Sequence, residues 1–448
     1  MTKEFFERLY DAAQAKAKEL KTEAFELYYS GGEDLSAETF RDELASFSAG
    51  KSGSLIVRLT VGGKTGCATS TLATPEEAAL LVEKAVENAA LSEKEEETIY
   101  APGGLQYKEV PEVPFTMPEA AKIKERAMAA RNAVYAADKR VSDGAAGAAY
   151  ASTSEVYLYS DKGLRLSSSM GNSGLYAVSV LQEGEDKRDG FEIYTGDLDK
   201  ADLEKIAAKA TEEASAQFGA TVPDSGNYPM VIEGKQMQQI LGTFCSVFFG
   251  KEAEQGLSLL KGKEGEKIAV DALTLMDDPF YEGNTMQMPF DGEGMPTYTK
   301  AVIEKGVLKT LLYNLESGKK AGKASTGNGA RNSASIGTTV FNFYIVPGNK
   351  SREELFKMAE GGIFVTGMKG FHAGANTVTG DFSIESEGFL IKDGKKGAPI
   401  KSFTVSGNFF ELLKQIGEIG DKIEDDHPSV SKIRCPDIFF ASLPVAGK

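Results

Sequence analysis

GSLIVRLTVGGKTGCATS, residues Gly53–Ser70, is a run in which apolar side chains occupy every second position of the first half. A period of two is typical of a strand with one buried face, formed here by Leu55, Val57, Leu59 and Val61. The Gly62–Gly63 pair suits a tight hairpin turn and connects this strand to a second one over Lys64–Thr69. The segment therefore predicts an antiparallel sheet.

Helices are predicted on both sides of this hairpin. The helix before it has an apolar face with spacings of three and four, formed by Phe6, Leu9, Ala13, Ala17 and Leu20. A short strand candidate, Ala24–Tyr29, follows that helix. The helix after the hairpin begins at Thr74, with Pro75 and Glu77 in positions favoured in a first turn. The first unit therefore reads helix, strands, helix.

The same order is predicted a second time, after a proline-rich connector. Four of the fifteen prolines lie from Pro102 to Pro118, directly after the acidic run Glu93–Glu97. Because this composition is typical of an exposed connector, we place a domain boundary near residue 110. A helix starting at Pro118, several strands and a closing helix then follow; the strand segments are Val156–Tyr159, Leu164–Ser169 and Leu175–Gln182. The duplication is inferred from this order, because no residue-level repeat is visible.

From about Thr221 the composition shifts to more glycine and more short strands. Lys305–Gly306 and Asp393–Gly394 are typical of hairpin turns. Three helices are predicted in this part, one over Lys235–Phe249 and two beginning at Ser351 and Asn408. The sequence thus predicts an α+β fold, with a duplicated helix–strands–helix N-terminal half and a strand-rich, sheet or barrel-like C-terminal domain. The expected domains are 1–110, 111–220 and 221–448.

Charge and composition exclude several classes of function. The 448 residues include 50 Lys and Arg against 66 Asp and Glu, a net charge of −16, which argues against nucleic acid or an anionic membrane as a direct partner. No uncharged run reaches the ~20 residues of a membrane span, and the charged N-terminus lacks an apolar signal core. With three widely spaced cysteines, these features predict a reduced, cytoplasmic protein.

The histidine count limits metal chemistry. Only His372 and His427 are present, 55 positions apart, whereas a helical zinc motif needs two imidazoles one turn apart. Carboxylate clusters such as Asp277–Asp278 and Asp291…Glu293 lack the spacing of a calcium loop and are interpreted as solvated faces. We therefore expect no metal and no cofactor.

Two polar, glycine-rich segments are candidate binding surfaces. Gly367–Phe389 brings small polar groups and main-chain donors together, and could bind an extended peptide or could simply form tight turns. Ala324–Ser335 lacks the spacing of a phosphate loop; its arginine could clamp a peptide carboxylate, or could pair with an acid on a solvated loop. The candidate peptide-binding residues are Arg331, Asn332, His372, Asn376, Thr379 and Asp381.

Taken in order, segments along nearly the whole chain resemble the TldD/PmbA family, also known as modulators of DNA gyrase. Besides Gly53–Ser70, they are LTLMDDP (Leu273–Pro279), FDGEGMPT (Phe290–Thr297), Ile303–Gly322, NTVTGDFS (Asn376–Ser383), Glu387–Lys395, Thr404–Leu413 and LPVAGK (Leu443–Lys448). The resemblance implies a mixed α+β N-terminal half, a strand-rich C-terminal domain and dimers that enclose a cleft. It also implies peptide or protein processing, including maturation of modified peptide antibiotics.

The family has a zinc peptidase branch with HExxxH on the helix after the region of Met230–Gly234, and a metal-free branch, PmbA or TldE. The corresponding helix here, Gln238–Glu252, has no histidine, so the chain resembles the metal-free branch. Cys435 adjoins Pro436, unlike the C-terminal cysteine ligand of the active branch.

The resemblance therefore predicts a PmbA/TldE-like subunit that binds a peptide or unfolded polypeptide and completes a complex with a TldD-type zinc peptidase, or with itself. Two alternatives stay open. The chain could be a self-sufficient peptidase with a non-zinc site near His372 and Asp381, or an interaction protein that modulates DNA gyrase.

Overall fold

The fold was analysed in a computed structural model, which describes residues 1–92, 99–111, 113–282, 284, 286–332, 335–424 and 431–448. Of the features singled out in the sequence, the acidic run Glu93–Glu97, His427 and the side chain of Asn332 lie outside the described part.

Two units of the same order, helix, three strands and helix, make up the N-terminal half. The first contains α1 (Lys3–Glu19), β1 (Ala24–Phe40), β2 (Glu43–Val61), β3 (Lys64–Ser70) and α2 (Pro75–Leu91). The second contains α3 (Ala120–Ala137), β4 (Ala146–Ser160), β5 (Arg165–Glu183), β6 (Asp186–Thr195), a 3-10 turn (Leu198–Lys200) and α4 (Leu203–Ser215). The predicted duplication is confirmed.

The two units share one six-stranded antiparallel sheet in the order β3-β2-β1-β4-β5-β6. The first strand of each unit lies at the centre, where β1 and β4 pair from Glu26 opposite Ser160 to Glu38 opposite Ala148. The helices pack over the two ends of the sheet and bury separate apolar clusters. The N-terminal half is therefore one continuous sheet with a duplicated helical cover.

Strand β1 continues eleven residues beyond the predicted end at Tyr29, through a stretch that looks like a turn in sequence. The reason is steric. A Cβ on Gly31 would lie 2.9 Å from the Ser52 carbonyl oxygen of β2, and a Cβ on Gly32 would lie 2.0 Å from the Thr153 carbonyl oxygen of β4. Glycine is thus required for close strand approach rather than for a turn.

The long strands are only partly paired on their outer sides. Strand β6 pairs with β5 only from Gly174 onward, so Arg165–Asn172 pairs with β4 alone. We call this half-strand the β5 edge. In the first unit, β3 pairs with β2 only from Leu55 onward, which leaves Glu43–Ser54 as the equivalent β2 edge. The predicted break within β5 is absent, since Arg165–Glu183 forms one strand.

The C-terminal domain is strand-rich, as predicted. Its elements are β7 (Gly226–Ile232), α5 (Gly234–Phe244), a 3-10 turn (Cys245–Phe248), α6 (Gly250–Glu254), β8 (Leu275–Asp277), β9 (Lys300–Glu304), β10 (Val307–Leu308), α7 (Leu315–Lys320), β11 (Gly329–Asn332), β12 (Ser335–Thr338), β13 (Phe343–Ile345), α8 (Arg352–Met358), β14 (Ile363–Lys369), α9 (Phe371–Gly374), β15 (Asp381–Lys392), β16 (Lys395–Asn408), α10 (Phe409–Gln415), β17 (Ile416–Ile419), β18 (Ile433–Arg434) and β19 (Ile438–Ala446).

Five of these strands close into a ring. The order β16-β15-β14-β7-β19 is completed by pairing of β16 with β19, at Thr404 opposite Ala446 and Val405 opposite Val445. A second sheet, β10-β9-β8-β13-β18, packs beside it over the largest apolar core. The barrel-like architecture predicted for this domain is therefore present.

Local chemistry sets the element ends that the sequence predicted best. The hydroxyl groups of Thr74 and Ser351 accept hydrogen bonds from the third backbone amide of their helices, and Asn408 caps α10. The predicted helix Lys235–Phe249 ends at Phe244 and continues as a 3-10 turn. In the described residues, none of the helices is long and apolar enough to cross a membrane.

Candidate functional site

A cluster of buried charges joins the N-terminal sheet to the C-terminal domain. Glu26 of β1 lies opposite Arg58 of β2, and the Arg58 Nε is 2.8 Å from a Glu26 carboxylate oxygen. Arg331 of β11 donates to the same Glu26 oxygen through Nη2, and its Nε donates to the Gly292 carbonyl oxygen at 3.0 Å. The Glu26 side chain is 1% exposed and that of Arg331 is fully buried, so the carboxylate serves two arginines in a water-poor environment.

Aromatic rings cover the two guanidinium groups. The Arg331 guanidinium lies 4.9 Å from the centre of the Tyr28 ring, and that of Arg58 lies 4.6 Å from the Tyr100 ring. The Arg58 Nη2 also donates to the Ile99 carbonyl oxygen at 3.2 Å. Cation–π contacts strengthen when water is excluded, so these rings stabilise charges that burial would otherwise penalise.

Two carboxylic acids complete this junction from the C-terminal side. Asp291 accepts hydrogen bonds from the backbone amides of Glu293 and Met295, each at 2.9 Å, and of Gly329 at 2.7 Å. Glu293 accepts a bond at 2.8 Å from the amide of Leu315, the first residue of α7. Both side chains are buried, so the interpretation of Asp291…Glu293 as a solvated face is wrong. Asp277 is also buried, and pairs with Lys300 at 3.0 Å.

Burial changes the acidity of this pair. Desolvation, followed by the charge of Asp291, raises the pKa of Glu293 to about 8. Desolvation raises the pKa of Asp291 to about 6, while its three backbone donors act in the opposite direction. Two neighbouring acids in a dry site resist double ionisation, so at neutral pH Glu293 holds its proton. Gly329 permits the approach, because a Cβ there would lie 2.7 Å from Glu293 Oε2.

The structure places Arg331 away from the other candidate binding residues. Its guanidinium binds Glu26 and Gly292 inside the junction, where it cannot clamp the carboxylate of a surface-bound peptide. The other interpretation, pairing with an acid, describes its contact correctly, but the arginine is buried rather than on a solvated loop. Arg331 therefore stabilises the contact between the sheet and the C-terminal domain.

Four candidate residues do come together, on the exposed turn between β14 and β15. His372 lies in α9, and the Asn376 side-chain oxygen accepts bonds from the amides of Val378 at 3.0 Å and Thr379 at 3.1 Å. Asp381 accepts a bond at 2.8 Å from the Asn408 amide group, which, with the Thr379 hydroxyl, lowers the Asp381 pKa. The turn borders an open hollow of about 590 Å³, lined by Ala373–Thr377 and Asp381–Ser383.

Helix α5 occupies the position where the resemblance implies zinc ligands in the peptidase branch. It carries three glutamines whose side-chain amide groups act as donors. Gln236 donates to the Thr366 carbonyl oxygen at 2.7 Å, Gln238 to the Ser431 hydroxyl at 2.7 Å, and Gln239 to Gln236 at 2.8 Å. Zinc prefers imidazole, thiolate and carboxylate, so this helix does not fit the metal.

Cys435 lies beside the start of α5, with its backbone next to Gly234. Its side chain is 3% exposed, and burial raises the pKa of its thiol far above the usual range. Over the residues that the structure describes, no group of three His, Cys, Asp or Glu side chains is arranged to hold a metal ion.

Sequence reasoning missed the junction residues Glu26, Arg58, Asp291 and Glu293. One signal was available: Arg58 is the only charge in the apolar run Leu55–Val61, and a charge in such a strand is retained only when it is paired. The contact between Arg331 and Glu26 joins residues 305 positions apart, so no local sequence pattern indicates it.

Comparison with known proteins agrees with this architecture. The family model described as PmbA/TldA metallopeptidase C-terminal domain matches residues 225–447, that of the central domain matches 112–218, and that of domain 1 matches 25–89. A metalloprotease of Methanothermobacter thermautotrophicus is 33% identical over 241 residues, covering 52% of this chain and 50% of the relative. The chain matches about half of the length of this relative and of two other archaeal relatives.

Other matches extend over the whole chain. The metalloprotease PmbA of Escherichia coli O157:H7 is 22% identical over 450 residues, 98% of this chain and 97% of the relative. A Thermotoga maritima protein named as a modulator of a DNA gyrase superimposes with a TM-score of 0.89 at 26% identity, covering 98% of this chain and all of that one. TldE from Thermococcus kodakarensis shares the fold, with a TM-score of 0.88 at 24% identity over 97% of this chain. With three successive family models matching residues 25 to 447, the chain belongs to the PmbA/TldD family.

Proposed function

We propose that this protein is a PmbA/TldE-like subunit that binds peptide and completes a cytoplasmic peptidase complex, while a TldD-type partner supplies the zinc. The observation that carries the proposal is the hydrogen bonding of α5. The side-chain amides of Gln236, Gln238 and Gln239 are all committed as donors, which leaves this helix a structural element rather than a ligand platform.

Relatives named after both branches support a two-subunit system. The chain matches PmbA of Escherichia coli over nearly its full length and a TldD homolog of Buchnera aphidicola over 56% of its own length, at 26% identity. A fold shared by two kinds of subunit, one with and one without a metal site, is consistent with a divided assembly. One subunit would cleave the peptide, and the other would bind the peptide and complete the complex.

We place peptide contacts of this subunit on the exposed turn of His372, Asn376, Thr379 and Asp381, beside the open hollow of about 590 Å³. The side-chain oxygens of Asn376 and Asp381 accept hydrogen bonds from within the turn and from the neighbouring Asn408, and these bonds fix the shape of the turn. His372 and Thr379 are exposed and can contact a ligand. Asn332, at the end of β11, stays a candidate contact.

The first prediction concerns metal and activity. The isolated protein is expected to retain well under one zinc per chain after dialysis and to show no peptidase activity, since α5 offers no zinc ligands. Mixed with a TldD-type subunit, it should form a stable complex and raise that subunit's activity at least tenfold. Metal analysis, light scattering and peptide cleavage measure the three quantities.

A TldD-type subunit with its HExxxH histidines replaced is the control, and its mixture should form the complex but stay inactive. Stoichiometric zinc in the isolated chain would contradict the proposal. Cleavage by the isolated, metal-free chain would instead favour the self-sufficient peptidase.

The second prediction separates binding from scaffolding on the turn. His372→Ala is expected to weaken peptide binding by the complex several-fold, with the melting temperature within about 1 °C of the unchanged protein, because exposed substitutions rarely alter stability. Glu385→Gln, an exposed change further along β15, is the matched control and should bind normally. Loss of binding in step with early melting would show that the turn acts only as scaffold.

A further inference from the structure

The duplicated N-terminal sheet presents the same kind of surface twice. In the first unit a Cβ on Gly66 would lie 1.9 Å from the Ala85 carbonyl oxygen of α2. In the second unit a Cβ on Gly190 would lie 2.0 Å from the Ala210 carbonyl oxygen of α4. Each glycine belongs to the last strand of its unit and faces the closing helix. The two glycines therefore occupy equivalent positions, from which the strand pairings of the two units can be compared.

The residue after each glycine faces the outer surface of the sheet, the side away from the helices, because side chains alternate along a strand. In the first unit this row of paired residues is Cys67, Arg58 and Glu26. In the second unit the equivalent row is Phe191, Val178 and Ala146. The buried ion pair of the first unit thus has an uncharged, apolar counterpart in the second.

The C-terminal domain covers the outer surface of the first unit more closely than that of the second. Ile56 packs in one apolar cluster with Met295 and Leu315 of the C-terminal domain and is 1% exposed. Phe191, on the outer surface of the second unit, is 46% exposed. The C-terminal domain follows α4 of the second unit in the chain, so chain order by itself does not explain why it covers the first.

Charge distinguishes the two surfaces, whereas apolar character does not. On the first surface Arg331 donates to Glu26, a carboxylate that Arg58 also contacts at 2.8 Å. On the second surface the same arginine would be buried against Ala146 and Val178. A buried cation that lacks its carboxylate is strongly unfavourable, so the ion cluster both rewards one docking position and penalises the other.

Glu38 does not replace the missing carboxylate. It lies opposite Ala148 rather than Ala146, and its side chain is exposed to water. An exposed ion pair contributes little, because water screens it and competes for both groups.

We propose that Glu26, Arg58 and Arg331 select the docking position of the C-terminal domain, so that it covers the first unit and leaves the outer surface of the second unit open. They are positioning residues, acting on the placement of two parts that have separate apolar cores. This selection does not depend on the proposed role as a peptidase subunit.

A tryptophan on the second surface makes the docking position visible, since the chain has no tryptophan of its own. Phe191→Trp supplies this reporter and should fluoresce as an exposed indole. In the same chain, Glu26→Ala, Arg58→Val and Arg331→Met give the first unit the residues of the second and remove the arginine that would lose its partner. We expect the emission to shift to shorter wavelength, because the second surface becomes covered in part of the molecules.

Hydrogen exchange in this triple variant reports on the first surface. The amides of Leu315 and Gly329, which donate to Glu293 and Asp291, should lose protection at least tenfold. The melting temperature should stay close to that of the reporter chain, because replacing buried ions by apolar side chains is often neutral. An unchanged emission, or protection that is retained at these amides, would overturn the proposal.

The reverse change keeps the first unit intact and decides the question if the triple variant fails to fold. Ala146→Glu with Val178→Arg builds the ion pair on the second surface. It should shift the reporter emission in the same direction and lower the protection of the Leu315 amide at least twofold. Ala146→Gln with Val178→Met enlarges the same side chains without charge and should change neither measurement. Equal effects in the two variants, or no effect in either, would contradict the proposed selection.

Discussion

Replacing Glu26 by glutamine is expected to lower the free energy of unfolding by about 3–5 kcal/mol, the cost of breaking a buried ion pair by removing one partner. The loss is large because one carboxylate serves both Arg58 and Arg331, whose side chains are 9% and 0% exposed. Without it, two like charges face each other in a dry junction. The midpoint of the first urea transition, followed by circular dichroism, measures the effect.

The same two strands provide a matched control. Glu33 of β1 lies opposite Lys51 of β2 and pairs with it at 2.8 Å, but both side chains are well exposed. Glu33→Gln should change stability by less than about 1 kcal/mol, as is usual for surface pairs. Similar losses in both variants would show that burial is not the cause and would contradict the stabilising role assigned to the buried cluster.

Raising the pH from about 5 to 9 is expected to destabilise the protein, through Glu293. Its pKa is about 8 in the folded protein and close to 4.5 when unfolded, so the folded state holds a proton that the unfolded state has lost. The resulting stabilisation is fully present below pH 4.5 and is lost as the pH rises through 8. At about 1.4 kcal/mol for each of the roughly 3 pH units between pH 5 and the folded pKa, the fall in the free energy of unfolding is on the order of 4 kcal/mol.

Glu293→Gln should flatten this pH dependence, because glutamine mimics the protonated acid and can still accept the hydrogen bond from Leu315. Glu233, whose pKa desolvation raises to about 7, contributes in the same direction, so Glu233→Gln is the comparison that isolates the share of Glu293. Urea unfolding at half-unit pH steps checks both variants. An unchanged slope in Glu293→Gln would show that Glu293 is ionised in the folded protein.

Sequence reasoning succeeded where the decisive interactions are local. The caps at Thr74, Ser351 and Asn408 act within three residues. The turns at Lys305–Gly306 and Asp393–Gly394 adopt positive φ at both residues, as their composition predicts. In such places the chemistry of a few neighbours is enough to fix the backbone.

It failed where the deciding partner is distant. Gly31 and Gly32 have the composition of a turn, yet neighbouring strands on both sides hold them extended. Arg331 was predicted to contact a ligand. It contacts Glu26 instead, a partner that only the fold brings close to it. Asp291 and Glu293 look like surface acids in sequence, and three backbone donors from two segments make burial of Asp291 tolerable. The exposed turn of Asn376 and Asp381 is local and was identified as a unit from sequence.

The shared sheet means that the change of composition near residue 110 does not mark a place where the chain can be cut. Strands β1 and β4 pair over eleven residue pairs, so a fragment ending at 110 would bare the middle of a sheet. Exposed strands of this length associate with one another. The N-terminal half should therefore fold only as a piece reaching Ser215, and shorter fragments should aggregate, although each carries its own complete set of helices and strands.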